Sequence, residues 1–134
     1  MFDSLNALRP QAHWLLRIAF ATVFLFHGAG KVASVSGFAE MMNLSLPVAW
    51  LVTFAEVAAG IGLIVGAFGR EIITRLAAMA GVPVLIGAIA MVHWPRWSFT
   101  PADGFPVGGM EFQVVLLLIA LYFLIVGNAA QEAG

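Results

Sequence analysis

Apolar residues run in four long blocks along the chain, with polar residues gathered between them. The first block extends from Trp14 to about Ala33 and is interrupted by Arg17, His27 and Lys31. The second, Pro47 to Phe68, holds Glu56 as its only charge, and in the third, Leu76 to Trp94, only His93 can carry one. The fourth runs from Met110 to Gly127, with Glu111 in its first turn. A bilayer core of about 30 Å is crossed by roughly 20 helical residues, and each block has that length. Inside lipid the backbone must satisfy its own polar groups, which leaves helices or closed barrels. Long apolar runs without period-two alternation specify helices. The pattern predicts helices at about 14–33, 47–68, 71–94 and 110–128, in a single membrane domain over 1–134. The expected fold class is all-α, an integral membrane four-helix bundle.

The connections differ in kind. Phe68-Gly69-Arg70-Glu71 reads as a tight turn. The outer loop 34–46 contains Gly37-Phe38-Ala39-Glu40-Met41-Met42-Asn43-Leu44, apolar enough to lie at the interface as a short helix. The outer loop 95–109 holds Pro95, Pro101, Pro106, Gly104, Gly108 and Gly109, which punctuate against a long helix. The first block reads as a retained helix rather than a signal peptide, because His27 and Lys31 interrupt its end. Gly62-x-x-x-Gly66, Ala55-x-x-x-Ala59 and Ala77-x-x-x-Gly81 allow close helix approach, and Pro83 is expected to kink the third helix.

Composition sharpens this picture. Of 134 residues 62% are hydrophobic and 10% charged, against roughly 25% charged in soluble domains. Six basic and seven acidic residues cannot cover a water-soluble surface. A net charge of −1 offers no basic footprint, so nucleic-acid binding is excluded as a main task. The absence of cysteine excludes disulfides, thiolate metal sites and thiol redox chemistry on this chain. Arg9, Arg17, Arg70 and Arg75 fall on one side of the expected bundle, and Lys31 and Arg96 on the other. The positive-inside rule then places both termini in the cytoplasm. Trp14 marks the inner interface, and Trp50, Trp94 and Trp97 the outer.

Depth gives the few polar residues meaning. Lys31 sits near the outer end of the first helix and His27 one turn deeper, at i, i+4 and so on one face. Glu56 is roughly 13 Å below the outer surface. His93 closes the third helix at that end, and Glu111 opens the fourth. Five ionisable residues from four helices thus fall in the outer half. Ionisable groups at depth normally face the bundle interior and pair. His27, Lys31, Glu56, His93 and Glu111 are therefore the expected pocket, with a His27–Glu56 hydrogen bond as its deeper level. No catalytic role follows from these positions. Each residue also has a plain reading: Lys31 snorkels outward, Glu111 complements a helix dipole, His93 sits at the interface, and His27–Glu56 pins the bundle. Arg17 is expected to snorkel to the cytoplasmic headgroups, with pairing inside the bundle as the alternative.

Leu15-Leu16-Arg17, followed by Val23-Phe24-Leu25-Phe26-His27-Gly28-x-x-Lys31, resembles the first helix of DoxX-family membrane proteins. Gly37-Phe38-Ala39 with Leu46-Pro47, Ala55-Glu56-x-x-x-Gly60, His93 and Gly108-Gly109-x-Glu111-Phe112 continue the resemblance in order. It implies a small four-helix protein of the bacterial cytoplasmic (inner) membrane associated with redox complexes. The family takes its name from a membrane subunit of an archaeal thiosulfate:quinone oxidoreductase, and other members are linked to oxidative-stress or catechol-related systems through soluble partners.

Four functions follow as expectations. In the first, the chain is the quinone-interacting subunit of an oxidoreductase. His27 donates to one carbonyl, Glu56 orients His27 and relays protons, Lys31 or His93 serves the second carbonyl, and Glu111 holds Lys31. A partner or cofactor must then deliver electrons. In the second, His27 and His93 ligate a haem or a metal, although His27 lies deeper than His93; no dedicated metal site is otherwise expected. The third is a structural or assembly subunit and the fourth a small-solute or proton pathway. Expected partners are the lipid bilayer, a soluble or membrane redox protein and, as a further option, a second copy of the chain.

Overall fold

In a computed structural model, which describes residues 2–131, the chain is helical and has no named strand among the described residues. The ends of the expected domain, residue 1 and residues 132–134, lie outside that range. A short helix α1 (Asp3–Asn6) and a 3-10 turn (Arg9–Gln11) lead into α2 (His13–Ala33). Helix α3 (Val35–Met42) follows after one residue, then α4 (Leu46–Val65), α5 (Glu71–Ala88) with a π turn (Ile89–His93), and α6 (Glu111–Val126).

Local chemistry sets these boundaries. Asn43, at φ 51°, takes the left-handed conformation that ends α3, and the Leu44 amide closes back onto the Ala39 carbonyl at 2.9 Å. Ser45 is extended and Pro47 lies in the first turn of α4, where a missing amide hydrogen costs nothing. Helix α4 ends at Val65, three residues before its apolar block does, because Gly66 to Gly69 form the turn into α5. Helix α5 runs through Pro83 without ending. Its irregularity falls further along, where the Trp94 amide reaches the Ile89 carbonyl at 2.8 Å and opens the last turn. Gly127, at φ 60°, stops α6.

Helix α2 packs along α4, α4 along α5, and α5 along α6, while α3 rests on α4. Phe20, Phe24, Leu63, Leu85, Leu116 and Phe123 fill the shared core together with Ala59, Ala77, Ala78 and Ala120. Lipid tails are as apolar as leucine, so close fit rather than hydrophobicity joins such helices. Glycine supplies that fit: a Cβ on Gly62 would stand 2.8 Å from the Ala77 Cβ, and one on Gly28 2.8 Å from Val57. Leu15, Phe26, Leu51, Phe54, Leu76, Met79, Leu118 and Ile125 point outward as a surface suited to lipid. Arg9–Ala33, Leu46–Val65 and Glu71–His93 are long and apolar enough to cross a membrane. Helix α6 is equally apolar but only 16 residues long, about 24 Å.

Candidate functional site

The ionisable residues of the outer end divide into separate arrangements. Lys31, on the last turn of α2, reaches across to α4 and binds both carboxylate oxygens of Glu56, at 2.9 and 2.8 Å. Both side chains are largely buried, and the Phe38 ring of α3 lies 5.0 Å from the ammonium. Glu56 therefore pairs with Lys31, where the sequence pointed to His27. The register explains this: Gly28, without a side chain, faces α4 at Val57 and Glu56, and Lys31, three residues on, shares that face. His27 instead lies exposed on α2, edge-on to Phe26.

His93 ends the π turn as a buried ring held from two directions. Its Nδ1 lies 2.8 Å from the Gly108 carbonyl, and its Nε2 lies 2.9 Å from the Gln113 side-chain nitrogen on α6. A carbonyl only accepts, so Nδ1 carries the hydrogen and Nε2 receives one from Gln113. Loop 95–109 is what brings Gly108 there. Its turns are fixed by the Gly109 amide on the Ser98 carbonyl at 2.8 Å and the Met110 amide on the Arg96 carbonyl at 2.8 Å. Gly108, at φ 82°, passes too close to Phe99 for any side chain. Glu111, half-buried at the start of α6, accepts from the Phe99 amide at 3.3 Å and does not bind Lys31.

Gln113 was not singled out in the sequence, because a search for ionisable residues passes over amides. Its Oε1 is buried and has no hydrogen-bond partner among the described residues, a condition that costs about 1–3 kcal/mol. One helical turn inward along the same two helices, an open apolar groove runs past Ile86, Ile89, Ala90, Trp94 and Leu117.

A second polar cluster occupies the opposite end. Arg17 does not snorkel; it is wholly buried. Its guanidinium donates to His13 Nδ1 at 3.0 Å, the Leu63 carbonyl, Thr74 Oγ1 at 3.2 Å and Asn128 Oδ1 at 2.9 Å, and it stacks on Phe123 at 4.6 Å. Asn128 donates in turn to the Gly66 carbonyl, and Gln131 to the Ala67 carbonyl. These side chains satisfy the carbonyls that α4 leaves open at its C-terminus, where a positive charge also complements the helix dipole. The ion pairs among the described residues are Lys31–Glu56 and Arg75–Glu71, so Arg17 is compensated by neutral acceptors and a helix end.

A family model described as DoxX matches residues 12–94, which takes in Arg17, His27, Lys31, Glu56 and His93 but neither Glu111 nor Gln113. Comparison with curated proteins and with solved structures gives no match.

Proposed function

The chain belongs to the DoxX family and is a membrane protein, and from that premise we propose that it is the quinone-interacting subunit of a redox system in the bacterial inner membrane. In this reading α6 makes a fourth crossing of a four-helix bundle, both termini and the Arg70 turn are cytoplasmic, and loop 95–109 lies outside. The observation that carries the reading is the part-buried His93–Gln113 pair, one turn beyond an open apolar groove between α5 and α6. Polar groups beside an apolar slot suit a ring with two oxygens and an isoprenoid tail. When bound, a quinone takes up two electrons and two protons. His93, engaged at both ring nitrogens, would position Gln113, whose second amide N–H would donate to a quinone carbonyl, and Ile86, Ile89 and Leu117 would line the tail. Lys31, Glu56 and Glu111 carry ionisable protons toward the same end, and a soluble or membrane partner must supply electrons. Haem fits less well: both ring nitrogens of His93 are engaged, and His27 is on the outer surface of another helix.

The test is binding of a short-tailed benzoquinone to the purified protein in nanodiscs. Wild type binds and His93→Ala binds at least about tenfold more weakly; no binding by wild type would overturn the reading. An assembly subunit without a ligand is the second reading, favoured by one observation: His27 lies exposed on α2 between Ala19 and Gly30, both also exposed. Ionisable side chains rarely face lipid, so a partner helix, or a second copy, would cover it. Wild-type protein that binds no quinone, with His27→Ala losing co-purification of a partner, would decide for this reading.

A further inference from the structure

We propose that loop 95–109 seats in the headgroup layer of the outer leaflet, where Trp97, Phe99 and Val107 take up the part of a crossing that α6 is too short to make. The proposal rests on α6 as the fourth crossing and is independent of the quinone reading. Helices α5 and α6 are level at their inner ends. Gly127, just after α6, passes so close to Glu71 at the head of α5 that a Cβ on it would stand 2.6 Å from the carboxylate, and the Arg75 guanidinium donates to the Leu124 carbonyl at 2.8 Å. From that level α5 and its π turn run 23 residues to His93, about 34 Å. Helix α6 has 16 residues, about 24 Å. The remaining ~10 Å beside α5 falls to the loop. It sits directly on α6, whose first amides, Met110 and Glu111, donate to the Arg96 and Trp97 carbonyls at 2.8 and 2.9 Å.

The chemistry of the loop suits that depth. Trp94, Trp97, Phe99 and Val107 are each more than half exposed, and tryptophan collects at the membrane–water interface. Pro95, Pro101 and Pro106 are exposed as well and carry no amide hydrogen to leave unpaired. Arg96 and Asp103 are the loop's only charges and they cancel; the Arg96 guanidinium turns back to Thr100. The backbone closes partly on itself. The Ala102 and Gly108 amides both donate to the Phe105 carbonyl at 3.0 Å, and the Phe105 amide donates to the Ala102 carbonyl at 2.9 Å. At the tip, the Asp103 and Gly104 amides have no partner among the described residues. Hydrocarbon does not tolerate open amides, so the tip stays in water and the loop stops at the headgroups. Exposed rings level with the last turns of a membrane-length helix meet lipid before they meet a soluble protein.

The experiment uses the absence of cysteine. Phe99→Cys, Val107→Cys, Asp103→Cys and Leu118→Cys, the last exposed midway along α6, each carry a nitroxide label in the full chain, reconstituted in vesicles of phosphatidylethanolamine and phosphatidylglycerol. Power saturation compares collision with oxygen, which concentrates in lipid, and with a nickel chelate, which stays in water. The ratio of oxygen to nickel collision is expected to be highest at position 118, intermediate at 99 and 107, and lowest at 103. Two loop positions keep the test open should one variant fail to fold. A ratio at 99 and 107 as low as that at 103 puts the loop in water and overturns the proposal while α6 still crosses. Protection of 99 and 107 from both reagents means that protein covers them, and overturns it too. A low ratio at 118 removes α6 as a crossing, and the proposal falls with that reading.

Discussion

A guanidinium inside a membrane helix carries a desolvation cost of several kcal/mol, and Arg17 offsets it through His13, the Leu63 carbonyl, Thr74 and Asn128. Arg17→Met leaves those acceptors facing a methyl group. The expected loss is about 2–4 kcal/mol, read as a lowered Tm in detergent, whereas Arg70→Gln at an exposed turn changes stability by less than about 0.5 kcal/mol. Arg17→Lys recovers only part of the loss, because one ammonium cannot span a fork of four acceptors. A Tm unchanged in Arg17→Met would show that the cluster holds nothing. The Lys31–Glu56 pair obeys a related rule. Glu56→Gln strands a buried ammonium and is expected to cost about 3 kcal/mol, while the double change Lys31→Met with Glu56→Leu removes both charges and recovers most of it. Thermal unfolding of the two singles and the double measures the coupling; additive effects would deny it.

Helices meet here through missing side chains, and the missing side chains are not equivalent. Gly62→Ala puts a methyl 2.8 Å from that of Ala77, on the tightest part of the α4–α5 contact, and is expected to cost about 1–3 kcal/mol. Gly87 on the same α5 has open space around it, so Gly87→Ala is expected to leave stability unchanged or raise it by up to about 1 kcal/mol. Equal Tm values for the two variants would refute this account of the packing. The helices themselves were legible in the sequence, since hydrophobic length marks a membrane element whatever its neighbours. Their ends were less so. The stop at Val65 depends on Gly66, and on carbonyls that Asn128 and Gln131 satisfy from more than sixty residues away. The candidate site was legible in its charged members and obscure in its pairing. Depth alone set His27 beside Glu56; the rotation of α2 that turns Gly28 and Lys31 toward α4 follows from which small residue permits the close approach. Gln113, uncharged and lodged in an apolar block, offers a sign only to a search that counts amides.

At the scale of the molecule, polar chemistry lies at the two ends of an apolar body, and the ends differ. One is a closed knot around Arg17; the other carries an ion pair, a braced histidine and an acceptor without a donor. The proposed orientation is open to a direct check because the chain has no cysteine. Asp103→Cys, in loop 95–109, is expected to react with a membrane-impermeant maleimide on intact cells, and Arg70→Cys, in the α4–α5 turn, only after lysis. The reverse result would invert the topology. The knot also bears on biogenesis. Asn128 is synthesised 111 positions after the arginine it serves. Arg17 is therefore synthesised with an incomplete set of acceptors, and α4, α5 and α6 all follow it before Asn128 does. A nascent chain halted before Asn128 holds every apolar segment yet leaves a guanidinium and the end of α4 unsealed. One amide side chain thus makes the closing of this end wait for nearly the whole length of the chain.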